Sequence, residues 1–520
     1  MSCCRAPHRI VLSLTTLFLT LVTMASAEQP VMQWVVAFNS QNSLPANVDK
    51  IVASAGGKIT VHLPLIGGIG VESSNPNFAT DIAKDASVKR ADRATETKLI
   101  DPVNEPTITS ATDNGGTYSP TGSDTQPMPD SLGSEQWDKK KMNATLSGSY
   151  ALQQGRKDVR VFVIDTGADQ THIDVAQNLD VADSISFVPT EPTIQDFNGH
   201  GTWTISAVGA PINVVGISGV APNVTLVEGK VLNFAGHGQF LWTDEALIYA
   251  GLKHFDVLSA SLGGYIPKCG SKTNPNGCDH ADYILLNRAT QFARSNGVLP
   301  VAALGNDGFD LSDGNFFRDY VEAPGEIAGW VGVAATGYHD DKAFYSNYGT
   351  GKTDVSAPGG STRDYTGVPG SAVCPHGSLC RLIGAWSSTG TSAPADPREE
   401  CTGAGGTPPC YLYGYVQGTS MATPNAAGVA ALIISQYGDF TGNNPNKPHM
   451  SPTHVEQILQ ISANNQPCPT PNTVVQGSPT EFAVPTATCQ GNTGYNSFFG
   501  KGIVDALKAV TLKTQGSQPE

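Results

Sequence analysis

Basic residues are scarce in this chain: 31 Lys and Arg stand against 46 Asp and Glu, a formal charge of −15, and only 15% of the 520 positions are charged at all. Nucleic acids and anionic membrane surfaces are bound through clustered Lys and Arg, so neither is an expected partner. Beyond Met24 no long apolar run exists, which excludes a later membrane-spanning helix. Cysteine never occurs as Cys-x-x-Cys or at zinc-finger spacing with His, which removes the common metal and dithiol readings. Asp-Thr-Gly occurs once, at Asp165–Gly167. An aspartic protease made from one chain needs two such strings to set a pair of carboxylates face to face, so that chemistry is excluded as well.

The sequence does have 56 Gly and 35 Pro, a loop-rich composition on a chain long enough for a sizeable core and additions to it. Its start, MSCCRAPHRIVLSLTTLFLTLVTMASAEQP, sets Arg5 and Arg9 before a short apolar run and ends on small residues at Ala25 and Ala27. That is the layout of a cleaved export signal spanning residues 1–27. Of the 10 Cys, Cys3 and Cys4 leave with the signal. The others fall as near neighbours, and short loops lose least entropy on closure, so the expected bridges are Cys269–Cys278, Cys374–Cys380, Cys401–Cys410 and Cys468–Cys489. Such bridges place the chain outside the cytosol, in a secreted, extracellular or periplasmic location.

Residues 28–100 combine a strand-like run, QWVVAF, with VDKIVASAGG and GKITVHLPLIGGIGVES, which predicts a small α+β unit. Residues 101–132 are dense in Pro, Gly, Ser, Thr and Asp and cannot bury enough apolar surface to fold, so they are expected to be a linker. Over 133–512 the apolar runs VRVFVID, VTLVEGKVL, FDVLSASLG, GVLPVAALGN and WVGVAATG alternate with helical patterns such as TDEALIYAGLKHF, ahead of a tail at 513–520. Buried strands alternating with amphipathic helices predict an α/β domain whose mainly parallel sheet is covered on both faces. Function in such sheets gathers at the carboxyl ends of strands, where Asp165, Gly263 and Asn306 fall.

Three blocks carry chemistry: VIDTGADQTHIDV, NGHGT and GTSMATPNAAGVAALI. Together, and in this order, they resemble the subtilisin-like serine peptidases. The resemblance implies a three-layer α/β domain preceded by a small α+β propeptide, secreted as a zymogen, with protein or peptide substrates. It implies Ser420 as nucleophile at the start of an apolar helix, His200 as general base and then acid, and Asp165 as the ionised orienter of His200. AALGND resembles the family's oxyanion block, which makes the Asn306 side-chain amide a donor beside the Ser420 N–H.

The same resemblance assigns substrate binding to Ser261, Leu262 and Gly263 on one side and to Gly236 and Gly238 on the other, with the peptide added as a strand. Asp307 and Glu322 are placed at the pocket for the residue before the scissile bond, so Lys or Arg is the expected preference there. Residues 361–416, which hold four of the cysteines, are longer than the family's pattern and are expected to form a disulfide-stapled surface loop. No cofactor is needed for catalysis. A structural Ca²⁺ is implied at Asp174, with Asn213 and the carbonyls of Pro211, Val215 and Ile217. The remaining expectations are a monomer, inhibited by its own pro-region. Two alternatives remain open: a narrow processing protease, and a catalytically silent binding protein on the same scaffold.

Overall fold

The computed structural model describes residues 30–99, 126–267, 280–314, 317, 319–362, 380–391, 393–394, 397–403, 406–441, 448–475 and 486–513. The expected signal, most of the linker and tail, and Cys269, Cys278 and Cys374 lie outside them.

Residues 30–99 form the α+β unit. Four antiparallel strands run in the order Gly57–Leu63, Gly68–Ser73, Met32–Phe38, Val88–Arg93. Helices Val48–Ser54 and Phe78–Ile82 cover one face through Ile51, Val52, Phe78 and Ile82, packed on Trp34, Val36, Phe38, Ile69 and Val71. Strand Gly57–Leu63 buries alternate residues more deeply, as expected of a sheet with one solvated face.

The larger domain is built on seven parallel strands in the order Val355–Pro358, Val331–Thr336, Leu299–Ala303, Val257–Ala260, Arg160–Asp165, Thr225–Lys230, Ile185–Ser186. Successive side chains of a strand point to opposite faces. Val161 and Val163 accordingly join the core beneath helices His200–Gly209 and Thr419–Tyr437, while Phe162 and Ile164 join the core beneath Phe240–Lys253 and Ala281–Ser295. Burial on both faces is why these strands read as unbroken apolar runs. Helix Thr419–Tyr437 is buried from Thr419 to Ser435, which its run of small residues permits.

The α+β unit docks on helix Ala281–Ser295. Arg288 donates to the carbonyls of Ile66 at 2.9 Å and Phe38 at 3.0 Å. Asp92 and Asp282 bridge the junction, accepting from the Ala281 N–H at 2.9 Å and the Thr95 N–H at 2.7 Å.

Two expectations need correction. The linker stops short of residue 132: Leu132 is 1% exposed in the main core and Asp130 is 6% exposed, because both pack against the loop that follows helix His200–Gly209. The insertion is not merely a surface loop either. Strands Leu382–Ala385, Pro397–Gly403 and Thr407–Val416 form a sheet whose Leu382, Ile383, Ala385, Tyr413 and Tyr415 are buried. Gly384 lies flat on Trp203, where a Cβ would stand 2.4 Å from the indole nitrogen.

Bridges Cys401–Cys410 and Cys468–Cys489 are formed. Cys380 is also disulfide-bonded, to a partner outside the described residues. Among those residues no helix is long and apolar enough to cross a membrane.

Candidate active site

Asp165 is the last residue of strand Arg160–Asp165 and is fully buried. Its Oδ1 meets His200 Nδ1 at 2.8 Å and accepts the Thr166 N–H at 2.7 Å; its Oδ2 accepts from the Thr204 hydroxyl at 3.2 Å. A carboxylate so bonded holds the imidazole by one nitrogen, fixes the tautomer and leaves Nε2 for proton exchange.

His200 opens helix His200–Gly209, and the turn before it requires glycine. Gly199 has φ +117°, and a Cβ there would stand 2.2 Å from the ring of Trp386. Asp196 organises this turn, a role the sequence reading missed: it accepts from the N–H groups of Asn198, Gly199 and Thr202 at 2.9 Å and from the Thr202 hydroxyl at 2.6 Å. Asp196 lies ahead of the cap position, which Gly199 holds, so its sequence position does not mark it as a cap.

Ser420 lies in the first turn of helix Thr419–Tyr437, the end of a helix dipole that favours developing negative charge. Its Oγ is 3.4 Å from the Ser261 carbonyl, while the Ser261 hydroxyl donates to the Ser420 carbonyl at 2.8 Å. Asn306 follows strand Leu299–Ala303. Its Oδ1 accepts both the N–H and the hydroxyl of Thr419 at 2.9 Å, which turns Nδ2 the other way, to within 3.0 Å of where a Gly418 Cβ would be. Thr419, also missed from sequence, is thus what orients the amide.

The segments assigned to substrate already hold a strand. Glu96–Leu99 lies between Leu262–Pro267 and His237–Gln239 in a four-stranded antiparallel sheet completed by Tyr320–Ala323. Leu99 pairs with Leu262 and Lys98 with Gly263; on the other side Thr97 pairs with Gly238 and Lys98 with His237. The Leu99 N–H donates to the Gly236 carbonyl at 2.8 Å, and a Cβ on Gly236 would stand 2.1 Å from the Leu99 side chain. Backbone pairing fixes this strand together with the buried Thr97 and Leu99 side chains and a 2.7 Å contact between Glu96 and His237.

Asp307 and Glu322 come together around Tyr265. The Tyr265 hydroxyl donates to Asp307 at 2.5 Å, and Tyr265 is Glu322's partner in the neighbouring strand. Glu322 is 2% exposed, and burial, with Glu326 and Asp307 nearby, pushes its carboxyl well above the ordinary value.

The implied calcium ligands do not form an open donor set. Asp174 accepts the Asn213 amide N–H at 3.1 Å on one oxygen, and the Ile217 N–H at 3.0 Å and Tyr413 hydroxyl at 2.7 Å on the other. The Asn213 oxygen faces away, accepting the Val215 N–H at 2.9 Å. A hard cation needs six to eight free oxygens, and protons point at these. Val215 and Ile217 meet Asn213 and Asp174 through their N–H groups, and Pro211 lies in the same loop. Among the described residues the cluster of three metal-type groups is Glu399 with Cys401 and Cys410, whose sulfurs form a disulfide.

Comparison with known proteins agrees with this architecture. Subtilisin NAT of Bacillus subtilis subsp. natto is 31% identical over 285 residues, 55% of this chain and 57% of that protein. The alkaline protease of Alkalihalobacillus alcalophilus is 32% identical over 275 residues, 53% of each. The match spans little more than half the length of these curated relatives. Among solved structures, the epidermin leader peptide processing serine protease of Staphylococcus aureus superposes with a TM-score of 0.65 at 21% identity, over 94% of this chain and 100% of that one. Fervidolysin of Fervidobacterium pennivorans gives 0.62 at 19% identity, over 95% of this chain and 62% of that one. Both are likenesses of fold. The model of the subtilase family matches residues 156–502, a stretch that contains Asp165, His200, Asn306 and Ser420, and the chain belongs to that family.

Proposed function

We propose that this chain is a secreted serine endopeptidase made as a zymogen, which hydrolyses peptide bonds through an acyl-enzyme. The observation that carries the reading is the extended segment Glu96–Leu99, paired on both sides and running toward Ser261, whose carbonyl is 3.4 Å from Ser420 Oγ. A peptide held in this way reaches the nucleophile at the residue after Leu99. His200 takes the Ser420 proton as Oγ attacks the carbonyl carbon and returns it to the leaving amine; Asp165 stabilises the imidazolium; Asn306 Nδ2 and the Ser420 N–H bind the oxyanion. Water then attacks the acyl-enzyme by the same route.

Residues 28–100 are read as the pro-region and intramolecular inhibitor, self-processed between Ile100 and Asp101. Purified full-length chain should release a protein beginning at Asp101, and the Ser420→Ala variant should stay uncleaved. If the wild-type chain yields no such terminus and no casein hydrolysis that a serine-directed covalent inhibitor blocks, the silent-scaffold alternative replaces this reading. Export is supported by the N-terminal sequence and by the bridges Cys401–Cys410 and Cys468–Cys489.

The finer proposal is a preference for Lys or Arg before the scissile bond. Glu322 is buried near Gly305, which precedes Asn306, with Asp307 beside it. An entering cation would ionise Glu322 and pair with it in a dry site. Equal or faster cleavage after Phe and Leu in a peptide panel varied at that one position would sink this preference.

A further inference from the structure

The loop from Ala210 to Ser218 is held by two distant parts of the chain. The first is the end of the expected linker. Asp130 accepts the N–H groups of Asn213 at 3.0 Å and Val214 at 2.6 Å on one oxygen and the Ser218 hydroxyl on the other. Ser131 Oγ accepts the Gly216 N–H at 2.8 Å, and the Leu132 N–H donates to the Gly216 carbonyl at 2.8 Å. The second is Tyr413, in strand Thr407–Val416 of the insertion, whose hydroxyl reaches Asp174 at 2.7 Å and is fully buried on its ring side among the main core residues.

Gly216 makes room for that hydroxyl. At φ +59°, a Cβ would stand 1.9 Å from Tyr413 Oη and 2.2 Å from Asp174 Oδ2, so a side chain and the tyrosine are mutually exclusive. Asp174 and Asp130 between them accept six N–H or O–H donors, and each of their four oxygens has at least one. Buried carboxyl groups satisfied by directed hydrogen bonds do not require a counter-cation.

We propose that Tyr413 takes the structural place of the calcium ion that the family resemblance implies, so that the insertion, and not a metal, locks the loop after helix His200–Gly209. The inference concerns stability and stands whether or not the chain is a protease. A phenol on a covalently attached strand cannot be removed by a chelator and releases nothing to solvent.

The test is thermal unfolding of the full chain carrying Ser420→Ala, which prevents self-digestion, in excess calcium chloride and in excess chelator. The melting temperature should be the same in both, and Tyr413→Phe should lower it by about 2–4 °C in both. A melting temperature that falls in chelator, recovers with calcium and loses this response in Asp174→Asn would overturn the proposal. A calcium response that Asp174→Asn leaves intact puts an ion elsewhere in the chain and leaves the proposal standing. No change in Tyr413→Phe would remove the tyrosine from its role.

Discussion

Asp165 and Asp174 are nine positions apart, both fully buried, both bonded to three donors, and yet they belong to different kinds of region. Asp165 ends a strand of the central sheet, and its decisive partner, His200, comes from a short block of its own sequence type. Asp174 sits in a one-turn helix, and its decisive partner, Tyr413, comes from a segment that is longer than the family's pattern. The first arrangement is chemistry that only one set of residue types performs. The second is a structural joint, and hydroxyl, amide or cation can all fill a joint. A role carried along a family resemblance rests in the first case on residue type and in the second on whatever else packs against the joint.

The comparison is sharpest under substitution. Asp165→Asn should lower peptide hydrolysis by about four orders of magnitude with little change in unfolding temperature, since the imidazole would be held in the wrong tautomer; a loss below about tenfold would deny Asp165 its role. Asn306→Ala should lower kcat by about 10²–10³-fold with KM nearly unchanged, because its amide acts on charge that exists only in the transition state. Asp174→Asn is the opposite case: kcat should stay within about threefold while stability falls by about 1–3 kcal/mol, measured by denaturant unfolding, as a buried hydrogen-bond acceptor is lost. If Asp174→Asn instead abolished turnover without destabilising, the distinction between the two aspartates would collapse.

Asp196→Ala probes the ground between them and should cost about 1 kcal/mol of stability as a helix cap, with a fall in kcat as His200 loosens. The smallest effect belongs to the far end of the sheet, where His449 Nδ1 meets Asp256 at 2.7 Å. That hydrogen bond raises the His449 pKa above 6.5. A raised histidine stabilises fully below its unfolded pKa and ceases to as pH climbs through the folded one. The unfolding temperature of the Ser420→Ala chain should therefore drop slightly above pH 6.5, and His449→Gln should flatten that slope.

Much of the candidate site was legible because each of its members ends or begins a regular element: an apolar run stops at Asp165, a helix of small residues starts around Ser420, and strand Leu299–Ala303 delivers Asn306. Asp196 stood just ahead of one block and Thr419 inside another, but they act on backbone and amide groups, so residue type alone did not single them out. Glu96–Leu99 was not legible as a cleft strand: ETKL carries little β-forming character, and its pairing partners lie well over a hundred residues away in sequence. The hydrogen bonding around the implied calcium ligands was hidden for a related reason. Asp174 and Asn213 were correctly placed beside each other, but whether an amide presents oxygen or N–H is decided by Val215, and whether a gap remains is decided by Tyr413. The buried stretch Leu382–Ala385 was hidden by the Gly, Ser and Pro around it.

The sheet order around Glu96–Leu99 has one more consequence. Strands Leu262–Pro267 and His237–Gln239 each turn an edge toward the cleft, and an unpaired edge is a template on which any extended chain can stick, whether a nutrient peptide or a stretch of another unfolded molecule. With Glu96–Leu99 in place both edges are covered. While that short strand stays in place, neither edge is an open seed for aggregation.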